Sequence, residues 1–514
     1  MEYSFLKQVI IDGCSLTLQD LIKIGKKEAF VVLSEKAKEE VKKSRAVVDK
    51  IVSENKIIYG VTTGFGQFSS VVIPIDKVEQ LQYNLIRSHA AGVGPYFPED
   101  IARMIMALRA NVLAKGRSGI SLEVLELLID MLNKNIYPLI PEKGSVGASG
   151  DLAPLSHLAL ILIGEGRAKI EDTEGSGNDI LTKAGLHPIR LRAKEGLALI
   201  NGTQVMTAVG AKALDSALDL VTTADIAGSL TLEALKGTSV AFDKRIHNER
   251  PYPGQITCAR HLRYLLADSE IMNSHKGCGK VQDSYSLRCI PQVHGPVYDT
   301  LDYVGKMIAI EMNAATDNPM VFSEDNELIS GGNFHGESVA FLMDFLKIAI
   351  AELGNISERR IERLVNPQLS DLPAFLVNNG GLNSGFMMAQ VTAAALVSEN
   401  KILCHPASVD SIPTSANKED HVSMGTIASR KALEVVENVT YILAIELLAS
   451  VQGLTYLKPL KPAKPLLPVI DTIRTMVSFL EEDRCIAEDI KKIHILIKNK
   501  TLIDKTEYSV NNHM

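Results

Sequence analysis

The 514-residue sequence is short of the features that mark several protein classes. It has six cysteines, Cys14, Cys258, Cys278, Cys289, Cys404 and Cys485, with no CxxC pair among them. That scatter argues against a disulfide framework and fits a reduced, cytoplasmic protein. The 12 histidines form no HExxH or other ligand spacing, so no structural or catalytic metal is expected. Charge of one sign is nowhere concentrated. The net charge is −7, and no block of like charges is long enough for an interaction tail, which argues against a nucleic-acid-binding surface. Apolar runs are broken before they could span a bilayer: Asp344 and Lys347 interrupt SVAFLMDFLKIAIAEL, and Glu446 interrupts YILAIELLASV. The first residues, MEYSFLKQVIIDG, carry charge where a secretory leader would be apolar, so no secretory signal is expected. No repeat recurs at a fixed period, which argues against a solenoid.

What is present is ordinary globular material, 46% hydrophobic and 22% charged, with ample length for a large core. The first 75 residues or so read as mixed. QVIIDG (8–13) and KIIYGVTT (56–63) are β-rich runs, and LTLQDLIKIGKK and SEKAKEEVKKSRAVVDKIVSEN between them have helical spacing, with Ser34 placed as an N-cap. PEDIARMIMALRANVLAKG (98–116) puts Ile101, Met104, Ile105, Leu108 and Val112 on one helical face behind Pro98. A polar loop, EDTEGSGND (171–179), interrupts the pattern. Beyond Asn201, helical patterns cover 210–237, 297–315, 337–365, 430–454 and 466–497, longer than the usual ~10–14 residues. Helices apolar nearly all round must be surrounded by others, which predicts a mainly α protein built on a long multi-helix bundle, continued across a subunit interface. The expected division is an N-terminal mixed α/β part, 1–200, and a helical part, 201–514. The tail TEYSVNNHM (506–514) is polar and expected to be disordered.

The most informative segment is GSVGASGDLAPL (144–155). Ala148, Ser149 and Gly150 are small enough for the chain to double back, so that the Gly150 nitrogen can attack the Ala148 carbonyl carbon. Loss of water from that adduct and from the Ser149 hydroxyl leaves a five-membered ring with an exocyclic methylene, an electrophile that no ordinary side chain supplies. Glycine contributes an unhindered nitrogen and permissive dihedrals. The bland alternative is a Gly/Ser turn before an apolar helix. An anion-binding loop is disfavoured, because the Lys-Ser/Thr of a phosphate loop is missing.

Other clusters surround it. YGVTTGFGQ (59–67) places Tyr59, a candidate acid or base, beside a glycine-rich loop, where simple packing under a turn is the alternative. NLIRSHAAGVG (84–94) holds Ser88-His89, and a lone histidine is more often a core residue. NGTQ offers the Asn201 amide, for which a helix cap is the alternative. In KVQDSYSLRCIPQVHG (280–295), Gln282, Tyr285 and Arg288 are three apart and would share one face of a helix; the arginine suits a carboxylate or a structural ion pair. Phe334 lies in GGNFHGE (331–337), and Glu419 in NKEDHVSMG (417–425).

Taken together, YGVTTGFG, SHAAGVG, GSVGASGDLAPLSH, NGTQ, VQDSYSLRCIPQVHG, TDNP, SGGNFH and EDHVSM resemble, in order, the motifs of the aromatic amino acid ammonia-lyases and aminomutases. The resemblance runs from roughly Val9 to Ile495. It implies a fumarase/aspartase-like helical bundle and a self-made 4-methylidene-imidazol-5-one (MIO) from Ala148, Ser149 and Gly150, with no external cofactor. It also implies a homotetramer with active sites shared between subunits. By matching position it makes Tyr59 the base for the β-proton, sets Tyr285 against the ring, and gives Asn201 and Gln282 to orienting ring and carboxylate. Arg288 would bind the α-carboxylate, Phe334 shape the pocket, and His89 and Glu419 bind the substrate side chain. Ser88-His89 and Glu419 favour L-histidine, converted to trans-urocanate and ammonia in the first step of histidine degradation: a carboxylate accepts an imidazole N–H, and a phenyl ring would leave it unpaired. The alternatives are an aminomutase or a lyase for another aromatic amino acid. The sequence departs from the histidine-acting pattern at Thr62, usually Asn, and at Lys418, usually Gln.

Overall fold

The computed structural model describes residues 7–506, so all but Thr506 of the polar tail lies outside the described residues. Thr506 itself is buried. The protein is mainly helical with a few small sheets. The chain forms two compact units. One takes residues up to Lys212 together with Lys306–Asp344 and Pro406–Arg430; the other takes Ala213–Gly305, Phe345–His405 and Lys431 onward. The division expected at residue 200 therefore falls at 212, and later segments return to the first unit.

In the first unit, Lys7–Ile11 pairs in parallel with Ala29–Leu33, Val9 facing Val31, across the helix Leu18–Gly25. The strand expected at KIIYGVTT does not form. The amides of Val61 and Thr62 both bond the Ile58 carbonyl (3.1 Å each), and Gly60 takes φ +72°. The Thr62 hydroxyl accepts from the Ile58 amide (2.9 Å) and donates to the Lys56 carbonyl (2.7 Å). A hydroxyl that captures backbone groups in this way favours turns over a ladder. AFVVL, with no motif to advertise it, is the strand instead. Ser34 caps Glu35–Ser53 as expected, accepting from the Ala37 amide.

The helix Glu99–Ala114 starts behind Pro98, but its burial is not confined to the expected stripe: every residue from Ile101 to Ala114 is buried. Arg103 survives there because Nε donates to the Ile24 carbonyl and Nη1 to that of Leu132, 3.0 Å each. The expected loop 171–179 is largely ordered. Thr173–Ser176 pairs antiparallel with Arg167–Ile170, and Ser176 caps the helix Gly177–Lys183.

The second unit is helical. The patterns read beyond Asn201 become Gln204–Ala234, Ile290–Met312, Glu337–Val365 and Gly425–Thr455, each with one end among the residues of the first unit, and Met387–Leu403 adds a helix the periodicity did not reveal. The continuous helix expected over 466–497 is two, Leu467–Met476 and Ile486–Lys498. The break is held from outside by Gln452, which bonds both the carbonyl (3.0 Å) and the amide (3.1 Å) of Leu480, and from within by Arg484, which donates to the Ser478 and Phe479 carbonyls. Among the described residues no helix is long and apolar enough to cross a membrane.

The charges that interrupt the apolar runs have partners. Glu446 and Arg360 are fully buried and paired through two hydrogen bonds, and Ser357 (2.6 Å) and Thr231 (2.7 Å) also donate to the carboxylate. Replacing Glu446 by alanine strands the guanidinium; the expected cost is about 3–5 kcal/mol, read as a lowered denaturant midpoint. Nearby in sequence, Asp225 accepts from His261 Nδ1, His294 Nδ1, Tyr298 Oη and Cys258 Sγ at 2.9, 2.7, 2.8 and 3.2 Å. Burial alone would raise this carboxyl, but donation from the two histidines outweighs it and holds Asp225 well below the usual carboxylate range. Four donors already occupy this carboxylate.

Candidate active site

Ala148, Ser149 and Gly150 lie in a tightly cornered loop of the first unit. Gly147 takes φ +72° and Gly150 φ +69°, so the chain turns sharply on both sides of Ala148-Ser149. A Cβ on Gly147 would collide with Ser423 Oγ, and one on Gly150 with the Gly202 carbonyl oxygen, so both positions require glycine for space as well as for backbone conformation. The Ser423 hydroxyl donates to the Gly147 carbonyl (3.0 Å), the Met424 amide to that of Val146 (2.8 Å) and the Asp151 amide to that of Gly202 (2.8 Å). The Gly336 amide also donates to the Gly147 carbonyl (3.3 Å), so the 331–337 and 417–425 segments grip the loop before Ala148, and NGTQ grips it after.

Asp151, next to the tripeptide, organises this region. One carboxylate oxygen accepts from Ser145 Oγ (3.0 Å) and Thr426 Oγ1, the other from the Met206 amide (2.9 Å). Burial raises its pKa against the pull of these donors. NGTQ is pinned by Arg109, fully buried, whose Nη1 donates to the carbonyls of Asn201 (2.9 Å) and Ala198 (3.1 Å) and whose Nη2 donates to Gln204 Oε1. Burial lowers Arg109 to about 10. Gln204 in turn donates to Thr316 of TDNP (2.9 Å), and Asp317 pairs with the buried Lys194 at 2.9 Å. The helix Glu195–Ile200 is thereby anchored at both ends, and Asn201 follows it directly. Its Nδ2 donates to the Ser149 carbonyl (2.9 Å), while its buried Oδ1 has no partner.

Beside the tripeptide is a cavity of about 810 Å³, lined among others by Tyr59, His89, Ser149, Asn201, Phe334 and Glu419, all from the first unit. Six positions scattered over the sequence therefore converge. His89 ends the helix Val78–His89, and its Nδ1 lies 2.9 Å from the Leu85 carbonyl and 3.0 Å from Ser88 Oγ. Burial lowers its pKa, opposed by the Leu85 bond and by Glu419. Glu419 Oε2 accepts from Thr414 Oγ1 (2.7 Å) and Ser415 Oγ (3.1 Å); Oε1 accepts from the Ser149 hydroxyl at 2.9 Å. Its loop contains Ser415, Ala416 and Asn417, all at φ between +51° and +64°. Consecutive left-handed residues with side chains store strain of about 1–2 kcal/mol each, so the fold over-determines this turn.

Three expected residues are not in this cavity. Gln282, Tyr285 and Arg288 belong to the second unit and are not among its lining. Nor do the three share a helical face. The helix begins only at Tyr285, so Gln282 precedes it. Tyr285 is 72% exposed, with the Arg288 guanidinium 4.6 Å above its ring, and Arg288 Nε is buried without a partner. Both departures from the histidine-acting pattern lie outside the lining. Thr62 is buried in its turn, and Lys418 is exposed and forms no ion pair with Glu419 among the described residues. Residues the sequence reading passed over are Asp151, Arg109, Ser145, Ser423 and Thr426. A carboxylate directly behind the tripeptide, and an arginine inside the apolar pattern of 98–116, were the available signals. In the 331–337 and 417–425 segments, His335 and His421 stack with rings 3° from parallel, and His421 Nε2 is 3.9 Å from Glu337 Oε2.

A bent Ala-Ser-Gly loop, its carbonyl held by an asparagine amide, faces a tyrosine, a histidine and a glutamate across one cavity. These features go with chain-wide likeness to one class. The family model for aromatic amino acid lyases matches residues 16–475, and the chain belongs to that family. More particularly, it is 56% identical to histidine ammonia-lyase of Alkaliphilus oremlandii over 505 residues, which cover 98% of this chain and 99% of that one. Among solved structures, histidine ammonia-lyase from Trypanosoma cruzi superposes with a TM-score of 0.91 at 47% identity, covering 97% and 95% of the two chains. Tyrosine aminomutase from Streptomyces globisporus superposes with a TM-score of 0.92 at 40% identity, covering 97% and 98%.

Proposed function

We propose that this chain is a histidine ammonia-lyase, a carbon–nitrogen lyase that eliminates ammonia from L-histidine to leave trans-urocanate in the cytoplasm. The observation that carries the substrate assignment is the meeting of Glu419 Oε1 with Ser149 Oγ at 2.9 Å in a cavity that His89 also lines. This meeting supports reading His89 and Glu419 as the pair that binds an imidazole beside the tripeptide.

The tripeptide fits conversion to MIO. Its corners are set by two glycines at positive φ, its carbonyl at Ser149 is held by Asn201, and the neighbouring buried Oδ1 of Asn201 has no partner. The ring supplies an electrophile that turns the substrate amine into a leaving group. The chain's own residues do the rest. Asn201 holds the Ser149 carbonyl through Nδ2 and offers Oδ1 to an N–H of the substrate amine. His89 and Glu419 fix the imidazole, which aims the β-carbon at Tyr59, the base for its proton. Phe334 closes the wall. The carboxylate needs a fork of donors, which the lining lacks. Gln282 and Arg288 of the partner subunit meet that need in a homotetramer, where Arg288 binds the α-carboxylate in bidentate fashion, and Tyr285 of the partner subunit stands against the tripeptide.

Ultraviolet monitoring of purified protein with L-histidine, L-tyrosine and L-phenylalanine in parallel tests the reading. Urocanate absorbance with histidine alone is expected, and the intact mass should be two waters below that encoded. A β-amino acid product would make the protein an aminomutase, and cinnamate or coumarate would move the substrate to another aromatic amino acid.

A further inference from the structure

On the reading that the cavity holds an imidazole, its hydrogen-bonding polarity specifies more than the ring. A carbonyl oxygen only accepts, so the His89 Nδ1 at 2.9 Å from the Leu85 carbonyl carries a hydrogen. The Ser88 hydroxyl is directed to the same carbonyl (3.1 Å) and also lies 3.0 Å from Nδ1. A neutral His89 therefore presents Nε2 to a ligand as a bare acceptor. Glu419 is an acceptor by nature. Its Oε2 is saturated by Thr414 and Ser415, and Oε1 is engaged by the Ser149 hydroxyl. That hydroxyl is the group lost when the tripeptide becomes a ring, so maturation leaves Oε1 with no donor. Between them, His89 and Glu419 then offer the mature subsite two acceptors and no donor.

A neutral imidazole has one N–H and one lone pair. It can satisfy only one of two acceptors, and its own lone pair would face the other. An imidazolium has two N–H groups. We infer that the site binds the substrate side chain as the imidazolium cation, its two N–H groups shared between His89 Nε2 and Glu419 Oε1. The charge then meets a carboxylate in a largely apolar cavity, where such bonds are strongest. A cationic ring also draws electrons from the β-carbon, so the proton that Tyr59 removes becomes more acidic.

The titratable groups lining the cavity are Tyr59, His89 and Glu419; Lys418 and Asp420, which flank Glu419, are exposed and outside the lining. Burial holds His89 below the ordinary histidine value, which keeps it neutral, and hence an acceptor, above pH 7. The linkage follows. Above the pKa of the free ligand ring, binding must take up a proton, and affinity falls up to tenfold per pH unit.

Isothermal titration calorimetry of the matured enzyme tests this at pH 8.5, in two buffers of different ionisation enthalpy. The probe is imidazole-4-propionate, which has no amine to lose. Uptake approaching one proton per site is expected. A 2-fluoroimidazole analogue, whose ring stays neutral at this pH, should bind at least tenfold more weakly and without uptake. In Glu419→Gln, whose amide can donate, uptake of the parent probe should disappear. Binding of imidazole-4-propionate without uptake, or equally tight binding of the fluoro analogue, would overturn the inference while leaving the histidine assignment standing. Uptake on binding the fluoro analogue would put the proton on His89 and overturn it as well. Absence of any binding by the imidazole probe would remove the histidine assignment first.

Discussion

Ser149→Ala is expected to give a folded protein with no measurable ammonia release. Ser149 is only partly buried, and its hydroxyl makes one side-chain contact, to Glu419. Losing that contact costs little, because Glu419 Oε2 keeps its bonds from Thr414 and Ser415 and Oε1 stays accessible from the cavity. The thermal midpoint should therefore shift by no more than a few degrees, as expected for a change of about 1 kcal/mol or less. The chemical consequence is far larger. Without a hydroxyl to lose there is no exocyclic methylene, and the amine departs from the substrate unassisted. Losing about 4 kcal/mol or more of transition-state stabilisation lowers kcat at least about 10³-fold. Intact mass is the internal control, since the variant should lack the loss of water from residue 149. Turnover close to wild type in a protein of that mass would remove the ring from the reaction.

Glu419→Gln should separate maturation from substrate recognition. The ring is expected to form, because the tripeptide is cornered by Gly147, Gly150, Asn201 and Asp151, none of which changes. The intact mass should again be two waters low. With L-histidine, kcat/KM should fall about 10²-fold, the worth of a hydrogen bond of about 1.5–3 kcal/mol to a charged group. Phenylalanine and tyrosine make no use of the carboxylate, and the substitution removes a charge that their rings would leave unpaired. Their relative turnover should rise. An unchanged preference for histidine, measured as the ratio of kcat/KM values, would show that Glu419 does not read the side chain.

Part of the cavity was legible residue by residue. ASG flanked by glycines, Asn201 before a helix and Glu419 beside a histidine are local patterns, and each proved to occupy the cavity or its wall. Helical character was legible for a similar reason: apolar spacing over four long segments leaves no other way to bury them. The failures have specific physical causes. KIIYGVTT reads as a strand by composition, but the Thr62 hydroxyl takes the backbone groups a ladder would need. The pattern over 466–497 is continuous, yet Gln452, bonding both backbone groups of Leu480, opens a break in it. Gln282, Tyr285 and Arg288 read as one face because their spacing is helical, while the helix in fact begins at Tyr285.

By itself the sequence determined which small residues stand together as a candidate for cyclisation and which segments must be helices, because local composition and amphipathic periodicity are properties of neighbours along the chain. Only the tertiary structure decided the encounters. Ser149 and Glu419, 270 residues apart, share a hydrogen bond, and Arg109 holds Asn201 from within a buried helix. It also showed that one chain's cavity is lined without Tyr285 or Arg288. Such meetings depend on how distant backbone segments are brought together and desolvated, and no local pattern encodes that.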